Sequence, residues 1–223
     1  MDTTTFINPT VVGWAEKNLI LVKINAEDST KSRSEYANSW GVRGYPTFIL
    51  LRSDGTEIDR AYGYLDSAQF IATWTEYMND INTLADLKRR AEKDPSAANF
   101  KAVGDRLRFG GKSVEAMSFL TRAVEADSGN SNGVAAQAMW AIGDLYRRDL
   151  DYPNAIARLV SMIETYPKAP EAADAELLIA LCHTKAGDLP KAVAQYESFL
   201  KHYPNHVDTS YAREQIAELR PAR

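Results

Sequence analysis

Apolar residues follow two different rhythms along the chain, and the change between them falls near residue 80. Before that point, short apolar runs such as residues 19–24 and Thr47–Leu51 stand between polar stretches, which is typical of buried strands that alternate with helices. After it, apolar residues recur three and four positions apart, the spacing of one helix face. The pattern predicts an α/β domain followed by an all-α domain.

The first part of the chain predicts a helix, a strand and a second helix in that order. The first helix is expected over residues 3–18, with Asn8 as its cap and Pro9 in its first turn. The apolar run that follows predicts a buried strand. Tyr36 and Trp40 lie four positions apart and are expected on one face of the second helix, turned to the core.

A hairpin is predicted after this second helix. Pro46 has no amide donor for a sheet and is expected at the start of the strand Thr47–Leu51. Asp54-Gly55 favours a tight turn, and a returning strand is expected over residues 56–62. A capping box then predicts the beginning of the last helix of the domain.

Residues 42–47, Val-Arg-Gly-Tyr-Pro-Thr, resemble the V-x-G-x-P-T loop of thioredoxins, where a cis proline lies beside the redox site. Residues 5–9, Thr-Phe-Ile-Asn-Pro, resemble the segment after the active-site helix in the thioredoxin-like domains of thiol-disulfide interchange proteins. The resemblance implies a cis bond between Tyr45 and Pro46. It also implies that these two residues can contact an extended peptide by strand addition.

This sequence departs from that family at its start. In the family a C-x-x-C pair, and the central strand before it, precede the segment with which this sequence begins, whereas the single cysteine here is Cys182. Residues 1–80 are therefore predicted to form an N-terminally incomplete thioredoxin-like domain. A truncated start, direct pairing of the two strands beside the gap, and a strand supplied by a partner are alternative explanations.

A motif of small and large residues recurs in the second part of the chain. Gly143, Ala155, Leu159 and Pro167 occupy the glycine, alanine, aromatic and proline positions of the tetratricopeptide pattern, and similar sets precede and follow them. Residues 96–223 thus resemble tetratricopeptide repeats, an all-α fold expected here as three helical hairpins and a closing helix.

Close crossing of the two helices in each hairpin requires small residues. In each hairpin a small residue of the first helix is expected to face an alanine of the second, in the pairs Gly104 and Ala116, Gly143 and Ala155, and Ala180 and Ala192. Residues 81–95 are predicted to form a helical linker between the domains, with its helix at Leu84–Lys93.

The repeats also suggest a binding surface, since the first helices of tetratricopeptide pairs line a concave groove. The resemblance implies that peptide binds at the positions three before, one after and four after the glycine position of each unit. In the first two units these are Lys101, Asp105, Arg108, Trp140, Asp144 and Arg147. Trp140 is either a peptide anchor or a residue packed against the neighbouring repeat.

Charge and composition exclude several other functions. The net charge is −4 and no large basic cluster is present, which argues against nucleic acid as a partner. No apolar run reaches the length of a membrane span. Cys182 is expected to be a buried structural cysteine, and His202 and His206 have no visible third metal ligand. No catalytic residue, cofactor or metal site is predicted.

These observations favour a protein-binding adaptor that is redox-inactive as it stands, with protein or peptide clients and no predicted oligomeric state. The alternative is a thiol-disulfide oxidoreductase or redox chaperone whose C-x-x-C pair lies upstream of Met1. A cytoplasmic location is expected for the sequence as written, because it has no signal peptide. A periplasmic or exported location accompanies the alternative.

Overall fold

The structure, a computed structural model, describes residues 1–24, 40–42 and 45–220. The chain divides into two compact units. The first comprises Met1–Asp94 and Arg106–Lys112, and the second comprises Pro95–Asp105 and Ser113–Arg223. The helix predicted within the linker is confirmed at Leu84–Lys93, and it belongs to the first unit.

The first unit begins with helix α1, Pro9–Asn18. The helix begins at Pro9 and not at residue 3, because residues 2–7 form turns. Its cap is as predicted, since the Thr10 amide donates a hydrogen bond of 2.9 Å to Asn8 Oδ1. Asn8 thereby satisfies one of the amides that have no partner within the helix.

The predicted hairpin is present. Strand β1, Thr47–Leu51, pairs antiparallel with strand β2, Glu57–Tyr62, and Gly55 takes a φ of +85° in the turn between them. Helix α2, Ser67–Met78, follows with a complete capping box between Asp66 and Gln69. Helix α3, Leu84–Lys93, ends the continuous part of the unit.

The strand predicted at residues 19–24 is wrong. This segment contains no strand, and among the described residues the sheet consists of β1 and β2 alone. Successive side chains of the segment are open to solvent, with Ile20 96% and Leu21 59% exposed, whereas Leu19 packs against the core of the first unit. An apolar run becomes a buried strand only where neighbouring strands pair with it and other elements cover it, and no described strand pairs with this one. In the helix predicted to follow, Tyr36 lies outside the described residues and Trp40 occupies a turn.

An aromatic cluster forms the core of the first unit. Phe70 of α2 is 1% exposed and makes edge-to-face contacts with Phe6, Trp14, Phe48 and Trp74, at centroid distances between 5.7 and 6.3 Å. Such edge-to-face contacts add to the gain from burial. The strand β1 therefore packs against α2 through Phe48.

The second unit consists of helical hairpins, as predicted. Helix α4, Ala97–Phe109, contributes its first residues to this unit and its last to the first unit. The remaining helices are α5 Ser113–Ala126, α6 Val134–Arg148, α7 Tyr152–Thr165, α8 Glu171–Lys185, α9 Leu189–His202 and α10 Thr209–Leu219. Among the described residues, no helix combines the length and the apolarity needed to cross a membrane.

Leucines lie closest to the glycines at the helix crossings. A Cβ atom built on Gly143 would lie 2.6 Å from Leu159 Cγ, and one on Gly104 would lie 2.7 Å from Leu120 Cγ. The sequence analysis named the alanines of the second helices as the facing residues and did not assign these leucines to the glycines. Real Cβ atoms are essentially never this close to another heavy atom, so these helices can approach only because the glycines have no side chain.

Candidate functional site

An open groove of about 190 Å³ lies on the helical repeats. Its lining comes from three helices of the second unit: Trp140 of α6, Asp174, Leu177, Leu178 and Leu181 of α8, and Tyr211 of α10. All of these side chains except Asp174 are apolar or aromatic. Trp140 and the three leucines are half-buried, so the groove exposes only part of this apolar surface to solvent.

The sequence of α8 explains why this surface exists. Asp174, Leu177, Leu178 and Leu181 are spaced i, i+3, i+4 and i+7, and such residues share one face of a helix. The other side of α8 is apolar except for Glu176, and it is buried in the unit through Ala172, Ala173, Ala175, Ile179, Ala180 and Cys182. A helix that is apolar on both sides is normally covered on both, whereas the leucine face of α8 is only half-buried.

Core packing holds the aromatic wall of the groove in place. Trp140 and Leu178 pack against a buried cluster that includes Met139, Leu159 and Ile179. On the other side, the Tyr211 ring stands edge-on to the buried Tyr196 ring, with 6.2 Å between centroids. Trp140 is therefore both a packing residue and part of the groove wall.

Acidic side chains and a histidine lie at the Asp174 end of the groove. His206 Nε2 is 3.8 Å from Asp174 Oδ1, and His206 Nδ1 is 3.5 Å from Asp208 Oδ2. Burial raises the pKa of the Asp174 carboxyl, and the carboxylates of Asp208 and Glu171 act in the same direction while His206 opposes them. The sequence analysis gave His206 no further ligands; it missed Asp174, which is distant in the sequence, and Asp208, which is two residues away.

The other predicted groove residues of the second repeat are engaged in ion pairs. Asp144 is buried, and its carboxylate contacts Arg147 at 2.6 Å and Arg148 at 2.7 Å. Burial raises the pKa of Asp144, but the hydrogen bond from Arg147 and the charges of Arg148 and Arg147 outweigh it and hold that pKa below its usual range. The structure thus gives Asp144 a role in holding the end of α6 and does not present it to a ligand.

In the first repeat the predicted residues also have partners within the chain. Lys101 Nζ is 2.7 Å from Asp105 Oδ2, in an i,i+4 ion pair on α4. Arg108 is buried, and its guanidinium lies 4.5 Å from the centre of the Phe109 ring. Of the six residues predicted from the repeat pattern, Trp140 is the one found among the residues that line the groove.

The third repeat contains groove residues that the sequence analysis missed. Its glycine position is Ala180, so the positions three before and one after it are Leu177 and Leu181. Both line the groove. The rule that selected Trp140 in the second repeat would have found these leucines if it had been applied to the next unit.

The loop before β1 presents the second predicted contact surface. The bond between Tyr45 and Pro46 is cis, Tyr45 is 61% exposed, and Pro46 is exposed as well. A hydrogen bond joins this loop to the residue that follows β2: the Gly63 amide donates to the Pro46 carbonyl at 2.9 Å. Tyr45 and Pro46 thus stand at the surface of the first unit.

Cys182 is buried, as expected, in α8. Burial raises the pKa of its thiol to about 11, so the thiol stays protonated at neutral pH. Since the thiolate is the nucleophile in thiol chemistry, Cys182 is not a candidate redox residue.

Two separate parts of the chain match known families. Residues 1–78 match the model of a thioredoxin-like domain, and residues 134–213 match the model of the YfiO family, described as an outer membrane lipoprotein. No curated protein matches this chain. The chain therefore carries a thioredoxin-like domain followed by a helical-repeat domain of the tetratricopeptide type.

Proposed function

Because the chain joins a thioredoxin-like domain to tetratricopeptide-type repeats, we propose that it is a protein-binding adaptor. In this proposal the repeats hold a segment of a client protein in the groove between α6, α8 and α10. The observation that carries the proposal is the open apolar face of α8, where Leu177 and Leu181 lie beside Trp140 and Tyr211. Apolar grooves with aromatic walls are a common way of holding peptide segments.

The size of the groove favours a peptide side chain over a small-molecule cofactor. Its volume of about 190 Å³ is below the roughly 300–1,000 Å³ of pockets that enclose drug-sized ligands. The groove is also shallow and lined almost entirely by apolar groups. It thus suits one or two large apolar side chains of a client, with the rest of the segment lying over the helices.

The adaptor proposal is tested by selection from a random twelve-residue peptide library displayed on phage, with the full chain as bait. We expect peptides to be enriched, and Leu181→Ser and Tyr211→Ala each to weaken their binding at least about tenfold, which is the loss of one well-packed anchor. The matched control is Val114→Ser on α5, because Val114 is 87% exposed and does not line the groove. Failure to enrich any peptide, or equal binding by Leu181→Ser and the unsubstituted chain, contradicts the proposal.

Thiol-disulfide exchange is the second candidate, and the exposed loop at Tyr45 and Pro46 favours it. That chemistry needs cysteines other than Cys182, so this candidate requires a C-x-x-C pair encoded upstream of Met1. An exported location accompanies this candidate, and a cytoplasmic location accompanies the adaptor. Both candidates contain the repeats, so the outer membrane lipoprotein family matched by residues 134–213 does not separate them.

The two candidates are separated by the genomic DNA before the Met1 codon. An in-frame C-x-x-C preceded by an apolar strand would support the oxidoreductase, and a stop codon with no such pair would remove it. For the 223-residue chain itself, an insulin-reduction assay with dithiothreitol should show no rate above background. A rate above background would show that Cys182 is reactive.

A further inference from the structure

The two ends of the groove along α8 differ in charge. Its Leu181 end is apolar, while Asp174 lines the other end and is joined there by Asp208. Both carboxylates are about half exposed and share the His206 imidazole. A client segment that follows the groove therefore meets apolar surface at one end and acidic surface at the other.

We propose that the groove selects client segments in which a large apolar residue is accompanied by a lysine or arginine. The inference rests on the proposed adaptor function and adds the chemistry of the partner. The apolar side chain enters between Trp140 and Leu181, and the cationic side chain reaches Asp174.

Helix geometry sets the distance between the two contacts. Asp174 and Leu181 are separated by seven residues of α8, or about 10 Å along the helix axis at 1.5 Å per residue. An extended peptide covers this distance in about three residues, since it advances roughly 3.3 Å per residue. The basic residue of an extended client is therefore expected about three positions from its apolar anchor.

The surroundings of Asp174 support a cationic partner. Partial burial is the main cause that raises the pKa of Asp174; the charge of His206 opposes it, and the carboxylates of Asp208 and Glu171 add to the rise. A carboxylate in this situation gains from an added positive charge. In contrast, the buried carboxylate of Asp144 already has Arg147 and Arg148 beside it and can gain little from a further cation.

The test uses the peptides enriched by the full chain, after removal of those that bind Leu181→Ser equally well. Most of the remaining peptides are expected to carry Lys or Arg about three positions from a large apolar residue. In a representative peptide, replacing that basic residue with Gln should weaken binding about three- to fivefold, because an exposed ion pair contributes up to about 1 kcal/mol. The affinity difference should shrink as salt is raised.

The decisive comparison pairs this peptide change with Asp174→Asn. On Asp174→Asn the Lys-to-Gln change should cost less than about 1.5-fold, since the charge partner is absent. The control is Glu125→Gln, a change at an exposed acidic residue of α5, and there the Lys-to-Gln change should cost as much affinity as on the unsubstituted chain.

Two results would overturn the inference and leave the adaptor proposal standing. One is that the peptides whose binding depends on Leu181 carry no basic residue. The other is that the Lys-to-Gln change costs as much affinity on Asp174→Asn as on the unsubstituted chain. If no enriched peptide depends on Leu181 for binding, both the adaptor proposal and the inference are overturned.

Discussion

Leu159 Cγ occupies the space that a side chain on Gly143 would need, with 2.6 Å to the position of a Cβ atom. Leu159 is fully buried, so the side chain cannot move aside into solvent. The close crossing of α6 and α7 thus depends on one glycine and one leucine. The Gly104–Leu120 contact repeats this arrangement in the preceding hairpin.

Substitution Gly143→Ala is expected to lower the free energy of unfolding by about 2 kcal/mol, the usual cost of overpacking a core. This loss should appear although alanine favours a helix over glycine by about 1 kcal/mol. The matched control is Gly13→Ala in α1, where nothing lies within 4 Å of the new Cβ. That change should leave stability unaltered or raise it by about 0.5–1 kcal/mol. Urea unfolding measures both, and equal effects of the two substitutions would contradict the contact.

Asp144 should make the free energy of unfolding depend on pH in the acid range. The pKa of its carboxyl is lower in the folded chain than in the unfolded one, so its contribution is complete above the unfolded pKa, about 4, and is lost as the pH falls through the folded pKa. We expect Asp144→Asn to cost about 2 kcal/mol at pH 7, because Arg147 and Arg148 lose their common partner.

The measurement for Asp144 is urea unfolding between pH 7 and pH 3. The variant should lose less stability than the unsubstituted chain as the pH falls below about 4, since the titrating group is gone. Glu125→Gln, at an exposed position, should change stability by less than about 0.5 kcal/mol at either pH. An acid transition that Asp144→Asn leaves unchanged would show that other carboxyl groups are responsible.

The exposed segment at residues 20–24 should tolerate polar substitutions without loss of stability. Ile20→Thr and Val22→Thr should each change the free energy of unfolding by less than about 0.5 kcal/mol, because both side chains are already in solvent. Val11→Thr should cost about 1–3 kcal/mol, since Val11 is 1% exposed and the new hydroxyl would be buried. Thermal or urea unfolding of the isolated chain distinguishes these cases. A loss above 1 kcal/mol for Ile20→Thr would mean that the segment is buried as the sequence first suggested.

Cys182 should be inert in the folded protein. With the thiol buried and its pKa at about 11, roughly 0.1% of it is thiolate at pH 8, and reagent has no access to it. Ellman's reagent is therefore expected to show no fast reaction until guanidinium unfolds the chain, and then to release one equivalent per chain. A full reaction within minutes in native buffer would contradict the buried position.

Local patterns in the sequence were enough to predict most elements of this fold. The caps at Asn8 and Asp66, the turn at Asp54-Gly55 and the helix Leu84–Lys93 depend on residues within a few positions of one another. Such signals do not require knowledge of distant neighbours. The recurring glycine and alanine positions likewise indicated the helical hairpins, because a repeat is visible as self-similarity.

Contacts between distant residues were decided by the tertiary structure alone. An apolar run looks the same in sequence whether or not other strands cover it, which is why residues 19–24 were predicted as a buried strand although residues 20–24 are exposed. Asp144 looked like a groove residue until the fold showed it buried between Arg147 and Arg148. The groove joins Trp140, the leucine face of α8 and Tyr211, and it exists only because three helices bring these residues together.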